Sequence, residues 1–255
     1  VDRLLDEPGL FLRQAVSGLL NRSSASQSSA TDSQACSTVF QAARATSGKL
    51  TDMTETNSSA VDEGMKDHIG RTVEMLQRLD LATVKVLIDK LHEAYDDGSR
   101  VFILGNGGSA ATSSHFCEDL AKGITKDLEQ PRRLRVSSLT DSVPFISALG
   151  NDCGFETVFR EQLITNASAG DVVIAISGSG NSPNVLAAVK WASENGLWSC
   201  GMTGFNGGKL KSAVDHCIHV PVLDMEIAEN VHMVAVHLVV SGLRRSLEVA
   251  QEVEV

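Results

Sequence analysis

Apolar residues recur along this chain with two periods, and their alternation predicts its architecture. Over residues 62–79 and 82–97 the period is helical, with Val84, Leu87, Ile88, Leu91 and Ala94 on one face. Gly98 then stops the second helix. Five short apolar runs follow, at 101–104, 134–138, 172–176, 198–203 and 217–221, each read as a buried strand. Helical stretches lie between them at 110–122, 143–149, 155–166 and 183–195, and a long apolar helix over 227–247 closes the pattern. Strands alternating with helices predict an α/β fold, a three-layer sandwich around a five-stranded parallel sheet. The closing helix carries Val231, Val234, Val236, Leu238, Val239, Val240 and Leu243, too apolar for one exposed helix. Part of it is expected to pack on the sheet and part on a partner subunit.

Residues 1–60 break the pattern. After an amphipathic stretch from Leu10 to Leu20, the run from Asn21 to Ser33 is rich in Ser and cannot bury much. The chain begins with Val, and Met53 leads directly into the first clear helix, so the reading places the natural start at Met53. A low-complexity extension over 1–60 and one folded domain over 61–250 are the expected organisation.

With 42% hydrophobic but only 4% aromatic residues, the core must be aliphatic. A formal net charge of -10, without a dense Lys/Arg block, argues against nucleic acid as a main ligand. No apolar run approaches the ~20 residues that span a bilayer, and no secretory signal opens the chain. The five cysteines are odd in number and lack metal spacing, which argues against a disulfide framework and for the cytoplasm. Cys200 and Cys217 read as small core residues, and Cys117 and Cys153 as neighbours of the site without an activating partner.

Two strand ends carry the candidate chemistry. Strand 172–176 runs into Ser177-Gly-Ser-Gly-Asn-Ser182, and strand 101–104 into Gly105-Asn-Gly-Gly-Ser109. In each, glycines let the backbone approach a ligand at the start of a helix, whose unpaired N–H groups and positive dipole end favour a phosphate. Neither loop ends in the Lys-Ser/Thr of a P-loop or has dinucleotide glycine spacing, so no nucleotide cofactor is expected. A phosphorylated small molecule is the expected ligand class.

His115 and Asp119 are four residues apart on one helix; Glu229, His232 and His237 lie on the last. His115, Asp119, Glu229 and His237 suit either general acid–base chemistry or a divalent metal site. A surface helix pair for His115 and Asp119, and satisfied core roles for His232 or His237, remain open at this point.

Asn106-Gly-Gly-Ser109, His115-Phe-Cys-Glu-Asp119, Gly150-Asn-Asp152, Ser177 to Ser182 and Glu229 to His237 occur in the order seen in sugar-isomerase (SIS) domain proteins. Over roughly residues 60–248 the chain resembles, within that family, the phosphoheptose isomerases. The resemblance implies a flavodoxin-like core, a homotetramer with active sites built from neighbouring subunits, and isomerisation of sedoheptulose 7-phosphate to D-glycero-D-manno-heptose 7-phosphate. It implies phosphate binding by Ser109, Ser177, Ser179 and Ser182 beside Gly107, Gly108 and Gly178. Sugar contacts fall to Asn106, Asn151, Asp152 and Glu229, and catalysis to Asp119, His237 and Glu229. One zinc per subunit would be held by His115, Asp119, Glu229 and His237. Three departures stand out: Asp119 where the family carries a glutamate base, Glu229 where it carries glutamine, and Ser-Gly-Ser where it carries Ser-Thr-Ser. The two carboxylate changes compensate one another, or the substrate is a different sugar phosphate. A non-catalytic relative of the type that assists a replication initiator, and a hydrolase or transferase of aminosugar phosphates, are the rival readings.

Overall fold

The structure is a computed structural model that describes residues 59–125, 129 and 132–253. The Ser-rich stretch and Met53 lie outside the described residues. The described residues from Met65 onward form one compact unit.

The described chain opens with helix α1 (residues 59–77) and α2 (Leu81–Asp97). Asp80 caps α2 through the N–H of Ala82, and Gly98 ends it in a left-handed conformation. Strand β1 (Arg100–Gly105) follows, then α3 (Gly108–Glu118), β2 (Arg135–Ser138), α4 (Val143–Asp152), α5 (Val158–Asn166), β3 (Val172–Ser177) and α6 (Pro183–Glu194). β4 (Trp198–Thr203), the short α7 (Leu210–Ala213), β5 (His216–His219) and α8 (Met225–Val253) complete the chain.

All four strand pairings are parallel, in the order β2-β1-β3-β4-β5. Period-two alternation divides the core. Val101, Ile103, Ile174, Ile176 and Met202 face α2, α3 and α8, where Leu87, Leu91, Phe116 and Val236 are buried. Phe102, Leu104, Val173 and Ala175 face α5 and α6, against Leu163, Val185 and Val189. This is the expected three-layer sandwich. The strand order reverses direction between β1 and β3, the point where open α/β sheets bind ligands. Both Ser/Gly loops leave the sheet there.

Three elements depart from the sequence reading. The helix expected over 110–122 keeps α-helical form only to Glu118, and Asp119–Gly123 forms a π-helical turn. Gly150-Asn-Asp, which the sequence reading leaves as a loop between the helices over 143–149 and 155–166, is instead the last turn of α4, closed by the Cys153 N–H on Leu149 O at 2.9 Å. Cys217 is only half-buried, whereas Cys200 lies in the core. Among the described residues, no helix is long and apolar enough to cross a membrane.

Candidate active site

The loop after β3 is rigid. Gly180 N–H closes the turn onto Ser177 O at 2.9 Å. Gly178 O accepts from Gly204 and Gly180 O from Leu210, tying the loop to the segment after β4. Gly180 has φ +63, and a Cβ there would lie 2.1 Å from Gly207 O, so both conformation and space require glycine. Asn181 donates to Ser179 O and accepts from Lys209 N–H.

That rigidity leaves donors unspent. Ser182 occupies the N-cap of α6 without making the usual side-chain cap, and its hydroxyl lies 3.3 Å from Ser177 Oγ. Gly107, with φ 55, holds the same place at α3 and offers no side-chain cap either. The start of α3 keeps its first N–H groups free of a side-chain cap, whereas at α6 Pro183 has no N–H and Val185 N–H donates to Asn184 Oδ1 at 3.0 Å. The α3 start and the serine hydroxyls meet at one pocket of about 260 Å³, lined by Asn106, Gly107, Gly108, Ser109, Ser177, Gly178, Ser179, Ser182 and Glu229. The arrangement fits a phosphate group bound by neutral donors. Asn106 is locked by a reciprocal amide pair with the buried Asn184, at 2.8 and 2.9 Å. That partner is a positioning residue which the local motif did not single out.

Glu229 reaches the same pocket from α8. A Cβ on Gly108 would come within 2.6 Å of its carboxylate, so this glycine lets the acid lie against the first turn of α3. The positive helix end favours the anion there. Met225, a further lining residue unsignalled by sequence, packs over Gly178. α8 is anchored by Asp224, whose carboxylate accepts from Ile227 N–H and pairs with Arg71 at 3.0 Å. The Ile227 N–H first, and Arg71 as well, hold the Asp224 carboxyl below its ordinary range.

Two turns further along α8 stands a second group. His237 Nε2 lies 3.2 Å from His115 Nε2, and the rings meet edge to face. Asp119 Oδ2 is 3.3 Å from His115 Nε2 and 3.7 Å from His237 Nε2. Zinc bonded to nitrogen and oxygen at about 2.0–2.1 Å has tetrahedral edges of about 3.3 Å, so the three donors are spaced as one face of such a site. The residues present fit the ion. Glu229 is not part of this triad, since its carboxylate lies against Gly108. Arg244 braces the turn that carries Asp119: its Nε donates to Gly123 O at 2.8 Å, a contact 121 residues apart in sequence.

Asn151 and Asp152 hydrogen-bond one another at the exposed end of α4 and do not line the pocket. Burial raises the Cys117 thiol, so it has no activated thiolate. His232, read as a possible satisfied core group, is buried but neither ring nitrogen makes a hydrogen bond.

The SIS domain family matches residues 66–204. The phosphoheptose isomerase of Pelobacter propionicus is 38% identical over 158 residues, 62% of this chain and 82% of that protein. That of Trichlorobacter lovleyi is 33% identical over 189 residues, 74% of this chain and 94% of its own. The chain belongs to the SIS family, among the phosphoheptose isomerases. Its fold agrees: the phosphoheptose isomerase structure from Francisella tularensis superposes with a TM-score of 0.67 at 25% identity, covering 73% of this chain and 97% of that one. The enzyme from Neisseria gonorrhoeae gives 0.66 at 26% identity, covering 72% and 98%. In this chain the Ser/Gly pocket and the His–Asp–His group both border α8, about two helical turns apart.

Proposed function

We propose that this SIS domain, spanning residues 61–250, is an aldose–ketose isomerase interconverting sedoheptulose 7-phosphate and D-glycero-D-manno-heptose 7-phosphate in the cytoplasm. The observation that carries the reading is the pairing of a neutral phosphate nest with a carboxylate–imidazole group two helical turns away. Ser109, Ser177, Ser179 and Ser182 hold the phosphate, and Asn106 and Glu229 orient the sugar; binding energy far from the reacting carbons positions them. Asn151 and Asp152 lie outside this pocket, and the shared sites that the resemblance implies would bring them to the substrate of a neighbouring subunit.

Asp119 takes a proton from C1 of the ketose while His237 donates one to the carbonyl oxygen at C2, giving a cis-enediol. The reverse transfers, from the hydroxyl on C1 and onto C2, release the aldose, so atoms and protons balance. Glu229 is the second candidate base. His115, Asp119 and His237 would hold zinc, which when bound polarises the carbonyl oxygen as a Lewis acid, while Glu229, the fourth ligand implied by the resemblance, lies against Gly108 outside the triad. The test is NMR of the purified chain with sedoheptulose 7-phosphate, before and after chelation. Aldose formation that falls after chelation and returns with zinc is expected. A chain that binds the sugar phosphate without turnover would instead be a regulatory relative.

A homotetramer with shared sites completes the reading. Met65, Ile69 and Val73 form an exposed apolar stripe on α1, and Val234 and Leu238 another on α8. Ile69→Glu is expected to reduce the assembly seen by light scattering to smaller species, with turnover falling at least tenfold. A tetrameric, active variant would remove α1 from the interface.

A further inference from the structure

β1 and β2 begin on a pair of like charges. Their register sets Arg100 beside Arg135, on the face that also carries Phe102 and Ser137. Like charges adjacent across a sheet repel, and here both side chains are exposed, so solvent screens the pair and the fold tolerates it. Asp171 makes its hydrogen bonds to the main-chain N–H groups of Arg100 and Ser168 rather than to either guanidinium. Each guanidinium is instead steadied by one backbone carbonyl: Arg100 Nη1 donates to Asn166 O at 2.7 Å and Arg135 Nη1 to Gly98 O at 3.3 Å. A guanidinium has five N–H donors, so most of each fork is uncommitted.

Both arginines line a cavity of about 570 Å³ that runs along β2 beneath α4 and α5. Its wall includes Gln162, only 3% exposed. Gln162 Nε2 donates to Leu139 O at 3.0 Å and to Val158 O at 2.9 Å, which fixes the amide orientation and leaves Oε1 as the uncommitted acceptor of this cavity-lining residue. Ser142, the N-cap of α4, makes no side-chain cap, and Phe145 gives the wall an apolar patch.

We propose that this cavity is a second anion site, which takes the phosphate of a small, hydroxyl-bearing phosphate ester between Arg100 and Arg135 while a ligand hydroxyl donates to Gln162 Oε1. A phosphate monoester carries about -1.5 to -2 charges at pH 7 and neutralises both guanidinium groups; a carboxylate would leave one unmatched. Arg100 starts β1 and the Asn106 loop follows its end, so the six-residue strand, roughly 20 Å long, separates this site from the Ser/Gly pocket. One small molecule does not reach both, and the second site is that of an effector.

The experiment is an amide NMR titration of the full chain with glycerol 3-phosphate, with inorganic phosphate and glycerol as controls. Shifts at residues 135–138 and at the Gln162 side chain are expected, and they persist when Ser177→Ala and Ser179→Ala remove the first nest. Arg135→Gln is expected to weaken this binding at least tenfold and Arg135→Lys less, with the remaining spectrum unchanged. Glycerol 3-phosphate should bind more tightly than inorganic phosphate because only the ester carries hydroxyls on carbon, far enough from the phosphate to reach Gln162 while the arginines hold the anion. Shifts confined to the Ser/Gly loops, or shifts at 135–138 that survive Arg135→Gln, overturn the proposal.

Discussion

Asp119→Asn is expected to lower kcat for heptose phosphate isomerisation by about a thousandfold while KM changes little, since general acid–base groups contribute roughly 10²–10⁴ in rate. The amide keeps the shape of the carboxylate but cannot accept the proton from C1. Asp119 is exposed enough, at 22% of its side chain, that the change should leave the thermal midpoint nearly unmoved. Asp119→Glu supplies the longer carboxylate that the family resemblance leads one to expect and should retain most of the activity. His237→Gln removes the proton donor to the carbonyl oxygen and should cost a comparable factor. Because Asp119 and both imidazoles also share one triangle of donors, the asparagine variant should bind zinc more weakly in a competition with a chromogenic chelator. The decisive comparison is Glu229→Gln. If that variant loses the thousandfold and Asp119→Asn loses less than threefold, the base is Glu229.

Arg244 sharpens the same point. It grips the carbonyl at the end of the turn that presents Asp119, and its guanidinium and the carboxylate flank the space where a Gly123 side chain would stand. Such a residue sets the angle of the base without touching substrate. Nothing near Asp119 in sequence announces it.

The legible part of this molecule was the part written in short-range periodicity and turn chemistry. Buried strands announce themselves because both faces are covered, so Val172 to Ile176 and Val101 to Leu104 read as unbroken apolar runs. The Ser/Gly loops were legible because glycine at 178, 180 and 108 is demanded by close approach, and their order along the chain matched a family. Four things escaped. The π-helical turn at Asp119 adds one residue to a helical repeat, too small a change to disturb an apolar pattern. Asn151 and Asp152 looked like a loop because of the preceding glycine, but the hydrogen bonds of α4 run through it. The reciprocal bond between Asn106 and Asn184 and the hold of Arg244 on Gly123 are contacts over 78 and 121 residues, which only the packed sheet brings about. The arginine pair on β1 and β2 was likewise invisible until the register placed them side by side.

His232 gives the chain an acid-sensitive stability that the titration of its carboxylates does not account for. The ring is 1% exposed on the sheet side of α8, and neither nitrogen makes a hydrogen bond. Burial, the largest influence, pushes its pKa down from 6.5 to about 4; the nearby Thr203 backbone opposes this, and His219 adds to the lowering. The unfolded chain takes up a proton near pH 6.5 and the folded chain resists it until about pH 4, so the unfolded state binds more protons throughout that window. Stability is therefore full above pH 6.5 and is lost as pH falls toward 4, by about 3 kcal/mol at about 1.4 kcal/mol per pH unit. His219, also lowered by burial, acts in the same direction, whereas the lowered Asp224 loses its contribution only below the ordinary carboxylate range. Urea unfolding of the wild type and of His232→Leu at pH 7.5, 5.5 and 4.5 separates them. Leucine carries no nitrogen to desolvate, so the variant should be at least as stable at pH 7.5 and should lose about 2 to 3 kcal/mol less on acidification. Parallel losses in the two proteins would mean that His232 has a partner when folded and that the acid sensitivity belongs elsewhere. The side chain sits between Glu229 and His237, so this acid-sensitive share of the folding free energy is lodged in the helix that bears the site.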